Sequence, residues 1–213
     1  MFSKLRWKIA QAAEIRWWQS YLRKQEPIIY LGKKREYWNR VLRQAAFIPK
    51  PGSKVLDAGC GPAGIFMVLK NVEIDALDPL LDAYEANLPH FNRSDYPQVN
   101  FIHAALENLE AENTYDTIFC LNAINHVANI ELAMDRLICA LKPGGQLLLS
   151  IDTHNYEVLK KIFRLLPGDI LHPHQYDLDE YRNMLQSREC AIQQELFLKK
   201  GQIFNYHLLV AFK

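Results

Sequence analysis

The sequence predicts an α/β protein with a doubly wound, mostly parallel sheet of seven strands. Short apolar strands alternate with helical segments from about residue 54 to 152, and two more apolar strands close the chain around Lys200–Gly201. Alternating strands and helices form a parallel sheet that is covered on both faces. Two sequential strands with so short a connection must be antiparallel. The last strand is therefore expected to reverse direction.

Turn residues and apolar periodicity place the individual elements. Helices are expected over 3–25 and 34–46, with Pro27 and Gly32 in EPIIYLG breaking the pattern between them. We therefore divide the chain into an amino-terminal helical annex, 1–46, and a main domain, 47–213. The main domain is predicted to run strand KVLDAG, helix PAGIFMVLK, strand VEIDAL, helix LLDAYEANL, strands VNFIHA and YDTIFCL, helix NIELAMDRLICAL, strand GQLLLSI, a helix near 177–187, and strands AIQQELFLKK and IFNYHLLVAFK.

Composition favours a cytoplasmic protein with reduced cysteines. The start, MFSKLRWKIAQ, lacks the apolar region of a signal peptide, and no apolar run reaches the roughly 20 residues of a membrane span. The four cysteines are far apart and form no CxxC pair, which argues against a zinc site or a disulfide framework. No metal ligand set is expected.

Charge is distributed unevenly along the chain. Residues 1–43 hold eleven Lys and Arg against three Glu, a net charge of +8, which leaves −7 for the rest because the whole chain carries +1. Such asymmetry can mark a nucleic-acid or membrane surface. The alternative is a solvated basic helix face beside an acidic domain, and we favour it.

A glycine-rich turn is the main functional signal. Gly59, Gly61 and Gly64 match the pattern GxGxxG, directly after the first predicted strand. Glycines there allow a tight turn and a close approach of the backbone to a ligand. Enzymes that use NAD, flavoproteins and methyltransferases share this pattern, and a tight turn without any ligand is the alternative.

Two aspartates distinguish these possibilities. Asp57 ends the first strand, where its carboxylate would repel a pyrophosphate and attract a cationic ligand with an amino group. Asp78 ends the second strand, where a carboxylate suits hydrogen bonds from ribose hydroxyls. A ligand with a ribose, a positive charge and no phosphate is S-adenosylmethionine.

Four ordered motifs carry a family resemblance over roughly residues 50–152. The segments VLDAGCGPAG, LDP, YDTIFCLNAINHV and LICALKPGGQLLLS resemble the class I S-adenosylmethionine-dependent methyltransferases. Around the fourth strand, FCLNAINHV is similar to small-molecule methyltransferases that act on quinone precursors. The resemblance implies a Rossmann-like fold, S-adenosylmethionine as cofactor and a small acceptor, with O-, N- or C-methylation left open.

The resemblance also implies roles for individual residues. Asp57 would lie near the methionine amino group of the cofactor, and Asp78 would bind the ribose hydroxyls. The other positions assigned to the cofactor are Ala58, Gly59, Cys60 and Gly61 at the methionine end, Pro79 and Leu80 beside the adenosine, Ala105 and Leu106 beside the adenine, and Leu121 and Asn122 beneath the sulfonium. Many relatives carry Asp where Ala105 stands, so adenine would rely here on backbone groups and packing.

Histidines after the fourth and fifth strands are candidates for acceptor chemistry. Oxygen and nitrogen nucleophiles often need a base near neutral pKa, and His126 is the first candidate. Its alternative role is to cap or pack the next helix. A second group, His154, His172 and His174, lies with Tyr176 in the segment over the carboxyl edge of the sheet. Two nearby histidines without a third ligand are a weak metal signal.

The annex supports three hypotheses. Phe2, Leu5, Ile9, Ala13, Trp17 and Tyr21 form a narrow apolar stripe, whereas a membrane-surface helix needs a broader face. The annex could simply pack on the domain, form a lid over an aromatic or apolar acceptor, or bind nucleic acid. The corresponding alternatives to a small-molecule methyltransferase are a non-catalytic cofactor-binding module and an RNA-modifying methyltransferase.

Overall fold

The computed structural model describes residues 2–154, 176–201 and 204–213. Its sheet contains β1 (Lys54–Ala58), β2 (Glu73–Leu77), β3 (Val99–Ile102), β4 (Tyr115–Leu121), β5 (Leu141–His154), β6 (Ala191–Lys200) and β7 (Phe204–Phe212). The spatial order is β3-β2-β1-β4-β5-β7-β6. The order reverses beside β1, so the predicted doubly wound sheet of seven strands is confirmed.

Strand directions also agree with the prediction. Within the group β1 to β5, every pair of neighbouring strands is parallel. Strand β7 pairs antiparallel with β5, from Gln146 opposite Phe212 to His154 opposite Phe204, and antiparallel with β6. The reversed terminal strand is thereby confirmed.

Helices cover both faces of the sheet: α1 (Phe2–Leu22), α2 (Pro27–Gln44), α3 (Leu81–Asn87), α4 (Ile130–Ala140) and α5 (Leu178–Gln186). One buried cluster joins α4 and α5 to the sheet, and a second joins α2 and α3 to its other face. The helices predicted near 81–88, 129–141 and 177–187 are therefore present.

The predicted helix PAGIFMVLK is wrong. Two single-turn 3-10 helices, Gly61–Ala63 and Ile65–Met67, stand in its place. Gly64 between them has φ −77° and ψ −177°, an extended conformation that cannot continue a helical hydrogen-bond ladder. The glycine turn therefore leads into a compact loop rather than the amino terminus of an α-helix.

The boundaries of the annex helices also differ from the prediction. Helix α2 begins at Pro27, and Gly32 lies inside it. Proline fits the first helical position because its missing N–H would have no intrahelical partner there. The break between the helices accordingly falls at residues 23–26 rather than at 26–32.

The predicted apolar stripe of α1 does not face the domain along its whole length. Ile9, Trp17 and Tyr21 are 48%, 47% and 47% exposed, whereas Leu22 is 2% exposed. Trp18 packs edge-on against Tyr84 of α3, with ring centroids 6.3 Å apart. The contact face is thus rotated by about one residue from the stripe that the sequence suggests.

Helix α2 is fixed to the glycine turn by a buried hydrogen bond. The indole Nε1 of Trp38 donates to the carbonyl oxygen of Ala63 at 2.8 Å, and Trp38 is 5% exposed. Buried bonds of this kind are costly to break because the carbonyl would lose its partner. The second half of the annex therefore positions the loop directly.

Within the described residues, no helix is both long enough and apolar enough to cross a membrane.

Candidate functional site

The glycine turn forms the floor of the site. Gly59 has φ +73°, and a Cβ there would lie 2.3 Å from the Cβ of Ala123 in the loop after β4. Gly61 has φ +58°, and a Cβ there would lie 3.9 Å from the ring of Trp18. The left-handed backbone and the contact with Ala123 both require glycine at position 59.

Asp57 lies beneath the loop rather than in the site. Its Oδ2 accepts the backbone N–H of Phe66 at 3.0 Å, and the residue is 2% exposed. A Cβ on Gly64 would lie 2.3 Å from the same oxygen, so this carboxylate also explains the third glycine. Burial raises the pKa of Asp57 to about 7.

Asp78 connects the ends of β1 and β2. Its Oδ2 accepts the N–H of Gly61 at 2.9 Å, and its Oδ1 accepts the N–H of Leu80 at 2.8 Å. Burial raises the pKa of Asp78 to about 7, and the nearby carboxylate of Glu14 on α1 adds to the shift. Since a carboxylate has about four acceptor positions, both oxygens retain capacity for ligand donors.

The loop after β4 has a strained start and a buried middle. Asn122 has φ +55°, its N–H donates to Oγ of Ser150 at 2.8 Å, and its Oδ1 accepts from that hydroxyl at 2.9 Å. Asn125 is buried and accepts from the Tyr181 hydroxyl at 2.6 Å. His126 ends the loop's 3-10 turn and is half-buried. Asn125 is therefore buried away from the cavity, and Asn122 and His126 line it.

That cavity has a volume of about 470 Å³ and lies over the carboxyl ends of the strands. Its lining includes nine of the predicted cofactor positions and the predicted base: Gly59, Cys60, Gly61, Asp78, Pro79, Ala105, Leu106, Leu121, Asn122 and His126. Asp57, Ala58 and Leu80 are buried outside the lining. Asp57 and Leu80 thus contact the site through the loop backbone and Asp78.

The annex contributes a wall that the sequence motifs do not specify residue by residue. The lining residues from α1 and α2 are Gln11, Glu14, Trp17, Trp18, Lys34 and Trp38. Gln11, Glu14 and Trp18 follow the i, i+3, i+7 spacing of one helix face. That spacing is visible in the sequence and could have indicated the face that lines the cavity. The apolar stripe on the neighbouring face is the stronger pattern, so the sequence favours that stripe instead.

The second group of histidine candidates lies largely beyond the part of the chain that the structure describes. His172 and His174 are outside the described residues, and of His154 only its place at the end of β5 is described. Tyr176 packs edge-on against Tyr181, with ring centroids 5.9 Å apart, and does not line the cavity. Among the described residues, no cluster of His, Cys, Asp or Glu could hold a metal ion.

Comparison with known proteins agrees with this architecture. A family model described as a methyltransferase domain matches residues 30–195. The ubiquinone biosynthesis O-methyltransferase of Rickettsia prowazekii is 31% identical over 99 residues, which cover 46% of this chain and 39% of that protein. The chain thus matches about two fifths of the length of such curated relatives.

Solved structures show the same fold at low sequence identity. The YcgJ protein of Bacillus subtilis has a TM-score of 0.68 and 17% identity, covering 84% of this chain and 98% of that one. The 1,6-didemethyltoxoflavin-N1-methyltransferase of Burkholderia thailandensis, crystallised with 1,6-didemethyltoxoflavin and S-adenosylhomocysteine, has a TM-score of 0.61 and 13% identity, covering 95% and 88%.

Fold and sequence together define a class I S-adenosylmethionine-dependent methyltransferase. The chain belongs to the methyltransferase-domain family. S-adenosylmethionine is accordingly the cofactor that the family implies.

The residues of the cavity fit that cofactor. The carboxylate of Asp78 is chemically suited to accept hydrogen bonds from ribose hydroxyls, and the bare backbone of Gly59 leaves room that a side chain would fill. Glu14, Asp78 and Glu107 also line the cavity. Three carboxyl side chains are compatible with a cationic ligand and disfavour a pyrophosphate.

Gly59→Ala is expected to weaken cofactor binding. The new Cβ would overlap Ala123 and force the loop out of place, so affinity for S-adenosylhomocysteine in titration calorimetry should fall by at least about tenfold. Gly52→Ala is the matched control, because Gly52 has φ +74° but no atom lies within 4 Å of the Cβ that alanine would add. Similar binding losses in both variants would show that a general loss of stability, not the contact with Ala123, is responsible.

Cofactor affinity is expected to rise with pH through about 7. Ribose hydroxyls donate to the ionised carboxylate of Asp78, whose pKa burial raises to about 7, so protonation at lower pH should oppose binding. Asp78→Asn should weaken binding by about 1.5–3 kcal/mol at pH 8 and flatten the pH profile. Calorimetry of S-adenosylhomocysteine between pH 5.5 and 8.5 measures both effects; an affinity at pH 8 that Asp78→Asn leaves unchanged would remove Asp78 from the site.

Proposed function

We propose that the chain transfers a methyl group from S-adenosylmethionine to a small, largely apolar or aromatic acceptor. The observation that carries this proposal is a single cavity that joins the Gly59–Gly61 loop to aromatic side chains of the annex. Ligand cavities of about 300–1,000 Å³ are typical of small-molecule sites. The proposal leaves the acceptor atom, oxygen, nitrogen or carbon, open.

In this proposal the cofactor lies at the end of the cavity formed by β1, β2 and the residues after β3. Asp78 receives the ribose hydroxyls, the backbone of Gly59 to Gly61 lines the methionine end, and Ala105 and Leu106 flank the adenine. Asp57 acts indirectly, because its carboxylate holds the N–H of Phe66 and keeps the loop closed. The bound cofactor supplies an activated methyl group on a sulfonium.

The chain's own contribution to transfer is alignment, exclusion of water and removal of a proton. Correct alignment can contribute about 7–11 kcal/mol to lowering the barrier. Leu121 and Asn122 lie where β4 ends, between the two sides of the cavity, and His126 follows on the same loop. We assign to the His126 imidazole the role of general base toward an oxygen or nitrogen acceptor.

Residues 1–46 act as a lid in this proposal, and residues 47–213 form the cofactor-binding domain. Trp17, Trp18 and Trp38 all line the cavity, and Trp18 lies against Gly61. A wall of aromatic side chains suits a small apolar acceptor, whereas a nucleic acid polymer requires an open groove. This arrangement favours a metabolite over RNA as the methyl acceptor.

His126→Gln is expected to lower kcat by a factor on the order of 10²–10⁴ and leave affinity for S-adenosylhomocysteine unchanged. Turnover of labelled S-adenosylmethionine against a panel of aromatic and apolar metabolites measures the rate. His207→Gln is the matched control, because His207 lies on β7 outside the cavity. If the wild-type chain binds the cofactor but turns over no acceptor, a non-catalytic binding module is favoured instead. Full activity of the His126→Gln variant would exclude His126 as the base.

A further inference from the structure

A basic side chain stands among the aromatic residues of the cavity. Lys34, in the second turn of α2, lines the cavity together with Trp38 and Tyr206. Lys34 is half-buried, and burial lowers the pKa of its ammonium group. A cation in this position loses hydration, so its partners determine what it can do.

The partners of Lys34 are aromatic faces. Its Nζ lies 5.2 Å from the ring centroid of Trp38 and 5.7 Å from that of Tyr37. The Trp38 ring is itself held by its hydrogen bond to Ala63. Within the part of the chain that the structure describes, no carboxylate forms an ion pair with Lys34. Aromatic faces attract an ammonium group but do not replace acceptors for its three N–H donors.

Lys34 lies away from Asp78, the carboxylate assigned to the cofactor ribose. Asp78 follows β2, whereas Tyr206 lies on β7, four strands away in the sheet order, or roughly 19 Å at the usual strand spacing. Tyr37, under the Lys34 ammonium, interacts electrostatically with Asp152 and Tyr206 on β5 and β7. Lys34 therefore belongs to the side of the cavity away from the cofactor ribose.

We propose that Lys34 binds a carboxylate of the methyl acceptor, which makes the acceptor an apolar or aromatic acid. This inference rests on the proposed function, because it places the acceptor beside the annex. An ammonium with free donors forms short, charge-assisted hydrogen bonds to a carboxylate, and the aromatic wall of Trp38 covers the adjoining apolar part of the ligand. Each charged ligand would then lie beside opposite charges: the cationic cofactor among the carboxylates, and the anionic acceptor at Lys34. The occupied cavity would therefore carry a net charge near zero.

The test uses pairs of probes that differ in charge but hardly in shape. Benzoate with benzamide, and 2-naphthoate with 2-naphthamide, are titrated into the full chain saturated with S-adenosylhomocysteine. The acid of at least one pair should bind about tenfold more tightly than its amide. Lys34→Met should remove this preference, and Lys34→Arg should retain it. Lys33→Met is the matched control, because Lys33 is exposed on the same helix and does not line the cavity.

The cofactor has a carboxylate of its own, and a second arm separates the two sources. S-adenosylhomocysteine and 5′-methylthioadenosine, which lacks the amino-acid portion, are titrated into wild type and Lys34→Met. Equal affinities in both proteins support the acceptor as the source. A loss of affinity for S-adenosylhomocysteine alone would assign the carboxylate to the cofactor and overturn the proposal.

The remaining outcomes are also decisive. If wild type binds S-adenosylhomocysteine but prefers the acid in neither probe pair, the inference fails and the proposed function stands. If wild type does not bind S-adenosylhomocysteine, the proposed function fails. Thermal unfolding monitors folding of each variant, and Lys34→Met should not lower Tm, because it removes a half-buried charge that has no ion pair within the described residues.

Discussion

Two buried carboxylates hold the glycine loop, and the rest of the site depends on them. Asp57 binds the N–H of Phe66 from below, and Asp78 binds the N–H groups of Gly61 and Leu80 from the side. Burial raises the pKa of both aspartates from 3.8 to about 7. The folded state therefore binds more protons than the unfolded chain between these values, and the free energy of unfolding falls as pH rises from about 4 to about 7. At neutral pH the loop is thus maintained against an electrostatic cost, as is common at functional sites.

The annex depends on the same loop. Trp38 donates to the carbonyl oxygen of Ala63, and Trp18 lies against Gly61, so both annex helices touch the glycine turn that lines the cavity. A displacement of the loop would therefore disturb the aromatic wall as well. The loop and the aromatic wall are thus packed directly against each other.

The sequence contains enough information for the fold and for much of the cavity lining. Alternating apolar strands and helices specify the sheet, and the glycine motif with Asp78 marks the edge where the cavity lies. The segment after Gly61 was predicted wrongly because its apolar residues suit a helix, whereas Gly64 adopts an extended conformation that interrupts one. Glu14 and Lys34 were missed because their positions depend on how the annex docks, which is a tertiary contact without a local motif.

The central claim is that the glycine loop and Asp78 form a site for S-adenosylmethionine rather than for a dinucleotide. The most direct measurement is titration calorimetry of the full chain with S-adenosylhomocysteine and with NAD under identical conditions. The carboxyl side chains of Glu14, Asp78 and Glu107 in the cavity lining predict saturable binding of S-adenosylhomocysteine and no appreciable binding of NAD. Saturable binding of NAD, with none of S-adenosylhomocysteine, would contradict the account.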